Sequence, residues 1–127
     1  MSNYLKITTS LSYSNGVVRV SLNTLEGLKY PKYIALLINE EDMIIAYQPS
    51  NESDRSALKV KYSGSTVVNG KIVCSCKFTR KVFHLCHWNV RHRYQIPGRI
   101  IENKGIAIFD LKEAKEIVTV IDESEEE

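Results

Sequence analysis

Cys74, Cys76, His84, Cys86, His87 and His92 fall within 19 positions, and thiolate and imidazole are the ligands zinc takes in a tetrahedral shell. Their spacing argues against a metal. Cys74 and Cys76 are separated by one residue, where a zinc knuckle has two, and Cys86 fits the apolar face of a helix. The adjacent Cys86 and His87 point away from each other on such a helix. The segment therefore reads as buried cysteines and exposed histidines, with no metal and no cofactor. Three cysteines are also an odd number without the spacing of a disulfide framework, so they read as free thiols.

Catalysis finds little support. No carboxylate lies near the histidines in sequence, no G-x-S-x-G elbow occurs, and no glycine-rich phosphate loop follows a strand. Cys76, at a helix start, has the position of a low-pKa thiol, but a small structural cysteine is the simpler reading. No catalytic residue is expected, and the chain reads as a binding protein rather than an enzyme.

Charge is the more informative pattern. Residues 1–54 hold four basic and six acidic groups, residues 55–101 hold ten basic and no acidic ones, and residues 102–127 hold three basic and nine acidic. The net charge of +2 conceals this asymmetry. A cationic stretch uninterrupted by carboxylates suits the phosphate backbone of a nucleic acid, whose condensed counterions it would release. The bland alternative is a solvated face that pairs with the acidic C-terminal segment. Arg80, Lys81, Arg91 and Arg93 are the densest candidates, with Lys77 beside them. Trp88 and Tyr94 flank Arg91 and Arg93, and aromatics beside arginines are how single strands are stacked; burial tendencies instead make both of them core residues.

The elements that would position these groups follow from periodicity. Val17–Leu22, after the turn signal Ser14-Asn15-Gly16, predicts the first strand. Ser21 or Asn23 then caps a short helix that runs through Gly27, with Leu22, Leu25 and Leu28 on one face and Pro31 as its stop. Tyr33–Ile38 and Met43–Tyr47 form a hairpin around the polar turn 39–42. Ala57–Tyr62 and Thr66–Val68 read as short strands, and Asn69-Gly70 turns the chain into Lys71–Cys74. A helix is predicted from Ser75, with Phe78, Val82, Leu85 and Cys86 inward and Lys77, Arg80, Lys81, His84 and His87 outward. Tyr94–Ile101 and Ile106–Phe109 make a second hairpin, in which Pro97 implies an edge position or a bulge. Leu111–Val120 predicts a C-terminal helix, since Ala114, Ile117, Val118 and Ile121 recur at helical steps. The run Asp122–Glu127 predicts a disordered acidic tail, most simply a solubilising end, though an anionic segment is also able to compete with nucleic acid for the basic face.

A length of 127 residues with 43% hydrophobic composition suits one domain, here 1–121, followed by the tail. No run of about 18 apolar residues and no secretion signal occurs, so the expectation is a cytoplasmic protein without a membrane partner. The fold class expected is mixed α+β: a small β-barrel of two strand-helix-strand-strand halves, roughly 15–49 and 66–111, with a C-terminal helix.

The segment VVRVSLNTLEGLKYPKYIALLINEEDMIIAYQP, Val17 to Pro49, resembles the AbrB-like swapped-hairpin and double-psi β-barrel family, with its arginine-bearing strand, short leucine-glycine helix and hairpin ending near a proline. The second unit, Val73 to Leu111, is similar in order only. The resemblance implies that two units interlock into one barrel, that Arg19 sits where the family has an arginine able to face DNA, and that the function is DNA binding in transcription control. The leading expectation is thus a small DNA-binding regulator that uses Arg19, Lys77, Arg80, Lys81, Arg91 and Arg93, as a monomer or homodimer. The rival is a protein-binding module, an inhibitor or adaptor of the kind phages and mobile elements carry, docking on an acidic or nucleic-acid-binding partner. A zinc-stabilised domain is the third and weakest.

Overall fold

The computed structural model describes residues 6–60 and 71–117. The chain starts with strand β1 (Lys6–Ser12), which precedes the Ser14-Asn15-Gly16 signal where the first strand was expected. Ile7, Thr9 and Leu11 of β1 are buried, a period of two that marks a half-buried strand. A 3-10 turn (Ser14–Gly16) leads to β2 (Val17–Val20), in which Val18 and Val20 are buried and Arg19 is half-exposed. Ser21 then caps helix α1 (Leu22–Gly27) by accepting the Thr24 N–H at 3.2 Å. Leu25 and Leu28 turn inward while Leu22 stays exposed. Left-handed Lys29 and Tyr30 (φ 67° and 53°), directly before Pro31, carry the chain away from the helix.

Strands β3 (Tyr33–Asn39) and β4 (Ile44–Ser50) form the first hairpin, its turn held by the Asn39 side chain accepting the Asp42 N–H at 3.0 Å. Of the strand expected over Ala57–Tyr62, the described part forms β5 (Leu58–Lys59), and residues 61 and 62 lie outside the described residues. The strand expected at Thr66–Val68, the turn at Asn69-Gly70 and the acidic tail 122–127 lie outside the described residues. After β6 (Lys71–Cys74), Ser75 caps helix α2 (Cys76–Cys86), which closes on left-handed His87 with the Trp88 N–H donating to the Phe83 carbonyl at 3.0 Å. The inward face of α2 is turned slightly from the expected one: Thr79, Val82 and Phe83 are buried, whereas Phe78, Leu85 and Cys86 are half-buried against the core.

β7 (Arg93–Ile101) and β8 (Ile106–Asp110) form the second hairpin. The helix predicted over Leu111–Val120 is corrected across its described part, where Leu111–Glu113 is a 3-10 turn and Lys115–Ile117 is strand β9; residues 118–120 lie outside the described residues. Helical spacing lost to two competing facts. The run Ile117-Val118-Thr119-Val120-Ile121 is wholly β-branched and favours extended backbone, and β7 is longer than β8, which leaves an edge for β9 to pair.

All strands join one curled antiparallel sheet, a half-barrel in the order β5-β3-β4-β8-β7-β1-β2-β6, with β9 on β7 beyond the end of β8. β7 is the hinge of this arrangement. One of its edges pairs β1 from Lys6↔Arg99 to Ser12↔Arg93, and the other pairs β8 up to Gly98↔Phe109 and β9 from Gln95↔Lys115. Ile96 and Pro97 fall in the gap between β8 and β9, where the 3-10 turn bulges out, so the residue that lacks an N–H sits where the ladder is already interrupted. The core is lined by Leu11, Val18, Leu25, Ile34, Ile45, Tyr47, Val82, Phe83, Ile96 and Phe109. Among the described residues no helix is long and apolar enough to cross a membrane.

Candidate functional site

Three adjacent strands build one polar surface. On β2, β1 and β7 the inward positions alternate with outward ones, and the outward residues fall into register: Arg19 lies opposite Ser10, Ser10 opposite Gln95, and Gln95 opposite Lys115 of β9. In the neighbouring row Ser12 lies opposite Arg93, and Arg93 opposite Ile117. These rows floor a groove of about 690 Å³ lined by Thr8, Ser10, Arg19, Arg93, Gln95 and Ile117, with Ser21, Leu22 and Asn23 closing one side. No carboxylate lines it among the described residues. Two cations expected from far apart in sequence, Arg19 and Arg93, thus share one concavity.

Arg19 is fixed from below. The Thr9 hydroxyl, buried under the groove, donates to the Arg19 carbonyl at 3.0 Å and lies 2.7 Å from the Tyr47 hydroxyl, which reaches it from β4. The Arg19 carbonyl has no proton to give, so Thr9 spends its proton there and Tyr47 donates to Thr9. Burial holds the Tyr47 phenol neutral by raising its pKa far above the ordinary range, an effect that the Thr9 hydrogen bond only partly opposes.

The remaining candidates are on or beside α2. Lys77, Arg80 and Lys81 are exposed on it, and Arg91 is exposed in the turn that follows, where the Asn89 side chain accepts its backbone N–H at 2.9 Å. Arg80 lies over the Tyr13 ring, 5.9 Å from its centroid, which orients its guanidinium. Lys81 pairs with Glu40 at 2.9 Å, and with both side chains largely in water the pair is worth about 0–1 kcal/mol. The structure therefore divides the six residues: Arg19 and Arg93 line the groove, Arg80 and Lys81 line a second concavity with Tyr13, Glu40 and His84, and Lys77 and Arg91 are exposed on and after α2. α2 packs Phe83 against Tyr94 on the inward face of the sheet, whereas Arg19 and Arg93 take the alternate, outward positions.

Trp88 and Tyr94 pack together at the edge of the core. Their rings stack on each other at 4.2 Å and 10°, Phe83 meets both edge-on, and the Tyr94 hydroxyl accepts the Asn89 N–H at 2.9 Å. The cysteine-histidine segment is spread out rather than gathered: Cys76 is exposed and His92 sits against Glu116. Cys86, expected to be buried, is half-buried, because α2 turns Phe83 rather than Cys86 to the centre. Its partial burial still pushes its thiol up to about 11. Among the described residues no three His, Cys, Asp or Glu side chains gather where they would hold a metal.

Sequence reading missed the polar half of the groove. Thr8 and Ser10 belong to β1, whose alternation of Ile7, Thr9 and Leu11 was the available signal; Gln95 and Ile117 gain meaning only through register with β1 and β7. No family model, no curated protein and no solved structure matches this chain.

Proposed function

We infer that this protein binds DNA through its phosphate backbone, as a small regulator rather than an enzyme. The observation that carries the reading is the groove that Arg19 and Arg93 line together with hydroxyls and amides, with no carboxylate among the described lining residues. Guanidinium groups and hydroxyls are the side chains that position a phosphate backbone. Lys77, Arg80, Lys81 and Arg91 are further exposed cations on and after α2, with Lys81 shared with Glu40.

The AbrB-like reading, with two halves related by a pseudo-twofold axis, draws support from the order β2-α1-β3-β4 followed by β6-α2-β7-β8. Ser21 and Ser75 cap the two helices alike. β2 pairs antiparallel with β6 and β4 with β8, Ala46 faces Ile108 at the centre of the second pairing, and Tyr47 and Phe109, which flank it, pack at 4.8 Å. A cytoplasmic location is part of the same proposal.

The test is a titration against mixed-sequence duplex and single-stranded DNA at two salt concentrations. Affinity should fall steeply with salt. Replacing Arg19, Arg80, Lys81, Arg91 and Arg93 together by alanine should flatten the salt slope on duplex by about 0.9 for each phosphate no longer neutralised, and removing residues 122–127 should leave affinity equal or higher. If neither form of DNA binds at low salt, the reading fails, and docking on an acidic protein partner becomes the better account of the same cations.

A further inference from the structure

We propose that the Arg19–Arg93 groove is a subsite for one nucleotide of an unpaired strand, with its phosphate between the two guanidinium groups and its sugar and base over Ser10, Gln95 and Asn23; the proposal rests on the DNA-binding reading above. Width decides for an unpaired strand. Arg19 and Arg93 stand on β2 and β7, one on each side of β1 and two residues apart along it, so their backbones are about 12 Å apart. A duplex is wider than its own major groove of about 12 Å, whereas a single backbone fits between the two strands. The volume of about 690 Å³ lies within the range of sites for small ligands, about 300–1,000 Å³.

The lining chemistry matches the parts of a nucleotide. Two guanidinium groups suit a phosphate diester. The amides of Gln95 and Asn23 each offer donors and an acceptor, the set that reads a base edge, and in an unpaired strand that edge is free. Leu22 is 40% exposed at the groove wall, an exposed leucine that core packing does not account for, and with Ile117 it offers an apolar surface to the sugar or the base face. None of the groove's described lining residues is aromatic.

The experiment compares three probes on the intact chain: thymidine 5′-monophosphate, a ten-residue oligothymidylate and a mixed-sequence duplex, each followed by amide chemical shifts and by affinity at low salt. The expected result is that both thymidine probes shift Ser10, Arg19 and Gln95 and compete with each other. Arg19→Ala with Arg93→Ala should weaken both at least tenfold, while Arg19→Lys with Arg93→Lys, which keeps the charge and guards against misfolding, should recover part of the loss. Gln95→Leu should weaken the oligothymidylate several-fold. The subsite is overturned, with DNA binding intact, if the duplex binds but the oligothymidylate is indifferent to Gln95→Leu and shifts none of the three residues. It is also overturned if the monophosphate binds and the oligothymidylate does not, which would make the groove a site for free nucleotides. Failure of every DNA probe overturns both the subsite and the reading beneath it.

Discussion

The Tyr47–Thr9–Arg19 relay makes a prediction that separates a coupled network from two independent hydrogen bonds. Tyr47 is fully buried and Thr9 is 2% exposed, so neither hydroxyl has water to fall back on. Tyr47→Phe removes a donor but leaves Thr9 bonded to the Arg19 carbonyl, at a cost of about 0.5–1.5 kcal/mol. Thr9→Val is the harsher change although its shape is conserved: it strands the Tyr47 hydroxyl in the core and removes the donor to Arg19, at about 1–3 kcal/mol. With both substitutions the stranded hydroxyl is gone, so the double variant should cost no more than Thr9→Val alone. The coupling should then equal or exceed the whole cost of Tyr47→Phe. Equilibrium unfolding in urea of the wild type, both single variants and the double variant closes the cycle. The phenol stays neutral at ordinary pH, so the result should not change between pH 6 and pH 9. Costs that add to within about 0.5 kcal/mol would refute the relay and show two unrelated side chains.

Gly98→Ala should destabilise by about 1–3 kcal/mol or more, since a β-carbon there would meet the Ile108 carbonyl oxygen at 2.2 Å and the Phe109 ring at 2.5 Å; thermal unfolding checks it, and an unchanged transition would contradict the packing of β7 on β8. Cys76 should be alkylated much faster than Cys86 at pH 8, because Cys76 is exposed whereas burial pushes the Cys86 thiol up to about 11; peptide-resolved mass spectrometry reads both rates. The Cys86 thiol has a folded value raised above its unfolded one of about 8.5, so its contribution to stability is complete below that pH and is lost as pH rises through about 11. A Cys86→Ala chain should lose less stability than the wild type over that interval. Ser75→Ala should cost about 1 kcal/mol by freeing the Phe78 N–H at the start of α2, seen as a lower urea midpoint at unchanged slope.

Local chemistry settled much of this protein in advance. Both hairpins are legible because their apolar runs flank polar turns at Asn39–Asp42 and Glu102–Gly105, and both helices because Ser21 and Ser75 precede amphipathic stretches. The cationic middle of the chain is visible by counting alone. Arg19 was singled out through the resemblance of Val17 to Pro49 to the AbrB-like family, and Arg93 through the density of charge around it. What sequence could not supply is adjacency. Arg19 and Arg93 meet only because β1 lies between β2 and β7, and Ser10 becomes the floor of a groove only through its registers with both neighbours. The C-terminal segment was decided in the same way, since helical spacing within 111–120 is a local preference, while the strand at Lys115–Ile117 depends on an edge that β7 offers from about twenty residues earlier. Periodicity reports which face of an element is apolar; which elements become neighbours is set by hydrogen bonding and burial across the whole chain, and the groove belongs to that second kind of information.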